Sequence, residues 1–214
     1  MSVKISAPAK SYHHGSLRDA CLQEGLAELQ ERGTLHFSLR EVARRAGVTP
    51  TAIYHHFPDK GDLLAVLALI GLQDFGERLR QSVLGGASPQ DTLTAMGVVY
   101  LDFFQQHPYY LNLLFSKEFV QHPEVKEAQS SAFRLVTGLL EKFGIPSQEA
   151  DQLALWIWSS VHGLATLINA EALGNVGDAC PPDAPLIFRL HLDELKQLLL
   201  PLFSRIILSL APRG

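Results

Sequence analysis

The stretch Phe37-Ser-Leu-Arg-Glu-Val-Ala-Arg-Arg-Ala-Gly-Val-Thr-Pro-Thr-Ala-Ile-Tyr-His-His-Phe57 carries the densest structural signal in the chain. Leu39, Val42, Ala43 and Ala46 recur at i, i+3, i+4 and i+7, the spacing of one apolar helix face. Gly47 follows at once, where a tight turn between helices wants a residue tolerant of positive φ. Val48 is placed to plug the corner. Thr49 suits an N-cap, and Pro50 suits the first helical position, where a missing N–H costs nothing. Ile53 and Phe57, four apart, then share the inward face. Two short helices joined by a glycine-containing turn describe a helix-turn-helix. The outward residues Thr51, Ala52, Tyr54, His55 and His56 are small or hydrogen-bonding and none is acidic. Arg40 and Arg44 share a face of the preceding helix, where Arg45 reads as a solvated i,i+4 partner of Glu41.

Working outward, helix starts recur in one form. Ser16-Leu-Arg-Asp19, Ser38-Leu-Arg-Glu41, Asp59-Lys-Gly-Asp62 and Ser88-Pro-Gln-Asp91 each set a capping oxygen three residues before an acid. Helices are expected over 17–32, 39–46, 50–56, 60–80, 89–106, 124–143, 148–173 and 186–210. Tyr109–Ser116 reads as an aromatic turn, Gly85–Ser88 as a hinge and Gly174–Pro185 as a loop. Strand periodicity is nearly absent, so the fold class is all-α: an N-terminal three-helix bundle with the helix-turn-helix, then a larger helical bundle.

The composition agrees with such a chain. It has 214 residues, is 47% hydrophobic and 19% charged, and carries a net charge of −4. Residues 1–60 hold eight Lys/Arg against six Asp/Glu and five of the nine His, so a slightly positive head precedes a negative body. Cys21 and Cys180 form neither a metal spacing nor a disulfide framework. Met1–Gly15 lacks the apolar core of a signal peptide, and no run approaches about 20 apolar residues, so a cytoplasmic protein with no membrane partner is expected.

The segment Gly47-Val-Thr-Pro-Thr-Ala-Ile-Tyr-His-His-Phe-Pro-Asp-Lys-Gly-Asp-Leu-Leu64 resembles the signature of the TetR family of transcription regulators. Tyr12-His-His-Gly-Ser-Leu-Arg18 is similar to the lead-in of a subgroup of that family. The resemblance implies a DNA-binding domain over 12–64 and a ligand-sensing and dimerisation domain over 65–214. It implies that Arg40 reaches a base edge and that Pro50, Thr51 and Ala52 open the recognition helix. Thr49, Tyr54, His55 and Lys60 match phosphate-contacting positions, and Ser38 and Arg44 complete the expected DNA-facing set. The implied partners are a near-palindromic operator duplex, a small-molecule effector and a second copy of the chain.

In the body, Leu155-Trp-Ile-Trp-Ser-Ser-Val-His-Gly-Leu164 is apolar almost all round, so its helix should be buried on more than one side. Trp158, His162 and Gly163 resemble the tryptophan–histidine–glycine type of TetR C-terminal domain, with Gly163 permitting close approach of another helix. Met96, Tyr100, Phe103, Phe104, Phe115, Phe119, Phe133, Trp158 and His162 are candidate liners of an effector pocket, or plain core. Of these, Tyr100, Phe103, Phe104, Phe119, Trp158 and His162 are the ligand-site residues expected here. Phe188, Leu192, Leu195, Leu199, Leu202, Ile206 and Leu210 form a stripe that suits a homodimer seam with the 148–173 helix, or intramolecular packing. Pro201 should kink or split that helix.

No Gly-x-Ser-x-Gly, His-Glu-x-x-His or Cys-x-x-Cys motif appears, nor a phosphate-cradling glycine loop. No catalytic residue, metal site or cofactor is expected. The expected function is an effector-released repressor; the alternative is a DNA-binding regulator whose body binds a protein partner.

Overall fold

The computed structural model describes residues 16–33, 35–85, 88–114, 122–170 and 191–209. Among them the fold is all-α, with α1 Ser16–Arg32, α2 Leu39–Arg45, α3 Pro50–His56, α4 Lys60–Leu84, α5 Pro89–Gln106, α6 Tyr109–Leu114, α7 Pro123–Lys142, α8 Ser147–Asn169 and α9 Leu192–Ser209. No helix among the described residues is long and apolar enough to cross a membrane. The chain divides into two compact units, the first ending at Leu67 and the second beginning at Ala68, within the length of α4.

The first unit is held by a small core. Cys21, Leu22 and Leu29 of α1, Leu39, Val42 and Ala43 of α2, Ile53 of α3, Phe57, and Leu63, Leu64 and Leu67 of α4 are all buried. Each large apolar side chain sealed in this way stabilises the fold by about 1.5–3 kcal/mol. The α2–α3 turn follows from its residues. Gly47 sits at φ +69°, and Val48 N–H returns to the Ala43 carbonyl at 2.9 Å, closing the end of α2. Ser38 and Glu41 form a reciprocal capping box, and Thr49 Oγ1 accepts from Ala52 N at 3.2 Å with Pro50 at the first helical position.

Charged contacts lock α1 to α2. Arg45 Nε donates to Glu24 at 2.8 Å, and its two terminal nitrogens reach both oxygens of Glu31 at 2.6 and 2.7 Å. One of them also reaches the buried Glu28 at 3.3 Å. Arg45 is therefore an interhelical clamp, not the intrahelical partner of Glu41 expected from its spacing. Glu41 pairs with Arg32 at 3.1 Å. Arg32 Nε also lies 2.5 Å from the second Glu28 oxygen, an ion pair without the alignment of a hydrogen bond. The Arg45 guanidinium holds the Glu31 carboxyl below the usual carboxylate range.

In the second unit α5 packs against both α8 and α9, and α7 packs on α8. Tyr109–Leu114 is a helix where a turn was expected: two residues are tyrosines whose rings pack on one another at 4.8 Å, and six residues are too few to show a period. A Cβ at Gly71 would fall 2.4 Å from the Tyr110 ring, so only glycine lets α4 approach α6 this closely. Helix α9 runs unbroken through Pro201. Its stripe divides: Leu195, Leu200 and Ser204 are buried, whereas Leu198, Leu202 and Ile206 are exposed. Phe188, Leu210 and the expected Gly174–Pro185 loop lie outside the described residues, as do Gly86 and Ala87 of the expected hinge.

Candidate nucleic-acid interface and apolar cavity

In the first unit, the residues expected to meet DNA differ in what their polar atoms have left to give. Arg40 and Arg44 are exposed on α2, and Thr49, Pro50, Thr51, Tyr54 and His55 are exposed at or on α3, with Ala52 half-buried. Thr49 spends an oxygen lone pair on its cap and retains its hydroxyl proton, which is the group a phosphate accepts. Ser38 differs. Its hydroxyl accepts from Glu41 N and donates to Glu41 Oε2 at 3.1 Å, so its proton is spent within the capping box. The same box, with the Ser38 backbone N–H donating at 2.8 Å, holds the Glu41 carboxyl below its ordinary range. Lys60 Nζ donates to the Leu35 carbonyl at 2.9 Å and lies 5.8 Å from the centre of the Phe37 ring. It ties down the segment before α2, and an ammonium with three donors can share that bond with a phosphate. Arg18, which sequence reasoning passed over, stacks 5.4 Å above the Phe57 ring and links the start of α1 to the end of α3.

The second unit contains an apolar cavity of about 120 Å³. Its wall is drawn from α4 (Leu72, Phe75, Leu79), α5 (Leu93, Met96, Gly97, Tyr100, Phe104), α6, α7, α8 and α9. The aromatic shell is continuous, with Phe75 edge-on to Tyr100 at 5.4 Å and Tyr100 tilted against Phe104 at 4.7 Å. Phe133 stands edge-on to Trp158 at 6.3 Å. Among the described residues, no Asp, Glu, Lys or Arg lines the cavity. Its polar groups come from Tyr100, Trp158, Gln129 and Ser204.

Of the expected liners, Met96, Tyr100, Phe104, Phe133 and Trp158 reach the wall. Phe103 does not: it is fully buried, stacked on Tyr110 at 5.7 Å with the Arg78 guanidinium over its face. His162 does not line the cavity either. It stands behind the wall, with Nδ1 2.8 Å from the Tyr100 hydroxyl oxygen. Burial pushes the Tyr100 phenol well above its ordinary range and lowers the His162 imidazole below 6.5. The neighbouring Trp158 side chain pulls the phenol down, against its burial. Phe115 and Phe119 lie outside the described residues. Gln129, Ala132, Val136 and Ile157 were missed, because aliphatic and amide residues on a helix give no sign of which face borders a void. Among the described residues, no group of three His, Cys, Asp or Glu is placed to hold a metal ion.

The profile of bacterial regulatory proteins of the tetR family matches residues 22–67, and that of the tetracyclin repressor-like C-terminal domain matches residues 93–195. The chain belongs to the TetR family. The HTH-type transcriptional regulator BetI of Serratia proteamaculans is 28% identical over 164 residues, covering 69% of this chain and 83% of BetI. A Rhodococcus sp. RHA1 protein of unknown function superposes with a TM-score of 0.71 at 25% identity, over 96% of this chain and all of that one. A TetR/AcrR-family regulator from Thermobifida fusca shares the fold, with a TM-score of 0.59 at 18% identity over 92% of this chain and 98% of its own. As a TetR-family protein the chain is a DNA-binding transcription regulator and not an enzyme. The matched N-terminal region contains the capping box, the Gly47 turn and α3; the matched C-terminal region contains Tyr100, Phe104, Phe133, Trp158 and His162.

Proposed function

We propose that this TetR-family regulator is a homodimeric repressor released from a near-palindromic operator by a small apolar or aromatic effector. The observation that carries the reading is the cavity: an apolar space with a few polar groups and, among the described residues, no charge on its wall. Residues 12–64 serve as the DNA-binding domain and 65–214 as the sensing and dimerisation domain. Arg40 reads a base edge; Thr51 and Ala52 meet bases at the start of α3, and Thr49, Tyr54, His55 and Lys60 hold phosphates. Helix α4 carries Leu63, Leu64 and Leu67 in the head core and Leu72, Phe75 and Leu79 at the cavity wall. A ligand that binds the non-DNA conformation more tightly displaces the equilibrium through this shared helix.

The dimer would form on the face that the single chain leaves apolar and exposed: Leu155, Trp156 and Leu167 of α8 with Leu198, Leu202 and Ile206 of α9. That exposure answers the expectation that α8 is buried on more than one side, because within one chain only one side is. A Cβ at Gly163 would meet nothing within 4 Å, which leaves room for a partner helix.

Titration of duplex DNA from around the protein's own gene, against a scrambled duplex at two salt concentrations, tests the reading. Sequence-selective binding is expected. Arg40→Ala should weaken it by roughly tenfold or more and relax the preference at one base position. Tyr54→Ala should weaken both duplexes alike and leave the salt dependence unchanged, because the phenol carries no charge. Equal affinity for both duplexes in the unmodified protein would sink the operator reading.

A further inference from the structure

The polar atoms of the cavity wall have a common direction. The Tyr100 hydroxyl oxygen lies 2.8 Å from His162 Nδ1. The imidazole is disfavoured as a cation by its burial, so Nδ1 either accepts the tyrosine proton or carries a proton of its own. The first arrangement is favoured by the apolar, aromatic surroundings of the phenol. A Tyr100 proton turned away from His162 would be an unpaired donor among Phe75, Phe104 and Leu72, whereas an unused lone pair costs less. The Tyr100 proton then runs to Nδ1, and the phenol oxygen keeps its lone pairs to accept.

Ser204 follows the same pattern. Its hydroxyl donates to the Leu200 carbonyl at 2.9 Å and so accepts from Thr94 at 3.0 Å. Gln129 gives an amide proton to the Leu114 carbonyl at 2.8 Å and keeps its amide oxygen to accept. The Tyr100 and Ser204 protons are thus both spent within the fold, and their oxygens remain as acceptors. The space is also small: about 120 Å³, against the ~150 Å³ of an engineered apolar cavity that takes up benzene.

We propose that the effector is an uncharged molecule of about one ring that donates a hydrogen bond, an alcohol or phenol, to the Tyr100 oxygen, with His162 as a positioning residue. The proposal rests on the effector-cavity reading above and adds the chemical class and the residues that select it. A carboxylate is disfavoured because, among the described residues, no cation lines the wall to offset its desolvation. An ether or ketone of the same shape presents lone pairs to lone pairs. His162 touches no ligand; it fixes which way the Tyr100 proton points.

Calorimetric titration of the full chain with four probes tests this: para-cresol, its methyl ether, toluene and para-toluate. Cresol should bind roughly tenfold tighter than the ether or toluene, the equivalent of one net hydrogen bond, and toluate should not bind. Tyr100→Phe should bring cresol to the level of toluene. His162→Leu should erase the cresol-over-ether preference, and His162→Asn, whose amide oxygen can accept in place of Nδ1, should restore it. A purely structural role for His162 would instead weaken all neutral probes together in both variants. The proposal is overturned if the ether matches or exceeds cresol, or if the preference survives in Tyr100→Phe. Toluene binding without a cresol preference would overturn it while leaving an effector cavity in place. Failure of all four probes would overturn both.

Discussion

His162 and His107 illustrate how single residues in the body answer to pH. Burial lowers both imidazoles below 6.5; at His107 the nearby Arg78 adds to the effect, against the opposing pull of Asp74. The sign follows from proton counting. Between each folded value and 6.5 the unfolded chain binds more protons, so acid favours unfolding. Stability is fully present above pH 6.5 and is lost as pH falls through the depressed folded values. Urea midpoints taken at about pH 7.5 and about pH 5.5 should fall toward acid, and the fall should be smaller in His162→Asn. A midpoint that rises on acidification would contradict the assigned environments. At this scale the sequence was legible where the cause is local. Thr49, Pro50 and Gly47 announce a cap, a first turn and a positive φ because each acts on its immediate neighbours. Arg45 was not legible: the i,i+4 rule pointed to Glu41, and the actual partners Glu24, Glu28 and Glu31 lie 14 to 21 residues away on another helix.

Among the elements, helices with strong period and caps were read within a few residues of their ends, and α6 was not, since six residues are too few to show a period. Helix α9 shows the converse difficulty. Leucine or isoleucine occupies so many of its positions that several stripes can be drawn, and packing on α5 selects the one through Leu195 and Leu200. The cavity was only partly legible for a similar reason: Phe103 and Phe104 are adjacent aromatics on one helix, yet one lines the wall and the other is sealed behind it. The α4–α6 contact gives an element-scale expectation. Gly71→Ala places a methyl group 2.4 Å from the Tyr110 ring, a rigid neighbour that is itself buried. Overpacking of this kind costs about 1–3 kcal/mol. Denaturant unfolding should show that loss, and Tyr110→Leu in the same background should recover part of it. An unchanged midpoint in Gly71→Ala would mean the two helices are not held this closely.

For the whole molecule, the exposed apolar face of α8 and α9 is the feature that a lone chain does not explain. Leu155, Trp156 and Leu202 are each close to half exposed, and clustered apolar exposure on a soluble chain marks an association surface. Sedimentation of the unmodified protein should therefore report a dimer. Trp156→Glu and Leu202→Glu should each shift it to monomer by burying a charge against an apolar partner surface. Operator affinity should fall with the dimer, since two heads gripping successive turns of DNA bind far more tightly than one. A charge variant that remains fully dimeric would place the seam elsewhere.

The two tryptophans of this chain, Trp156 and Trp158, are separated by one residue on α8 and yet inhabit different surroundings. Both rings are partly exposed, Trp156 at 45% and Trp158 at 37%, but Trp158 alone also lines the cavity, edge-on to Phe133. The protein thus carries two intrinsic optical probes. With Trp158 replaced by Phe, the remaining emission reports what covers the outside of α8. With Trp156 replaced, it reports what enters the inside. Assembly and occupancy become separable colours of light from a single helix, with no dye attached.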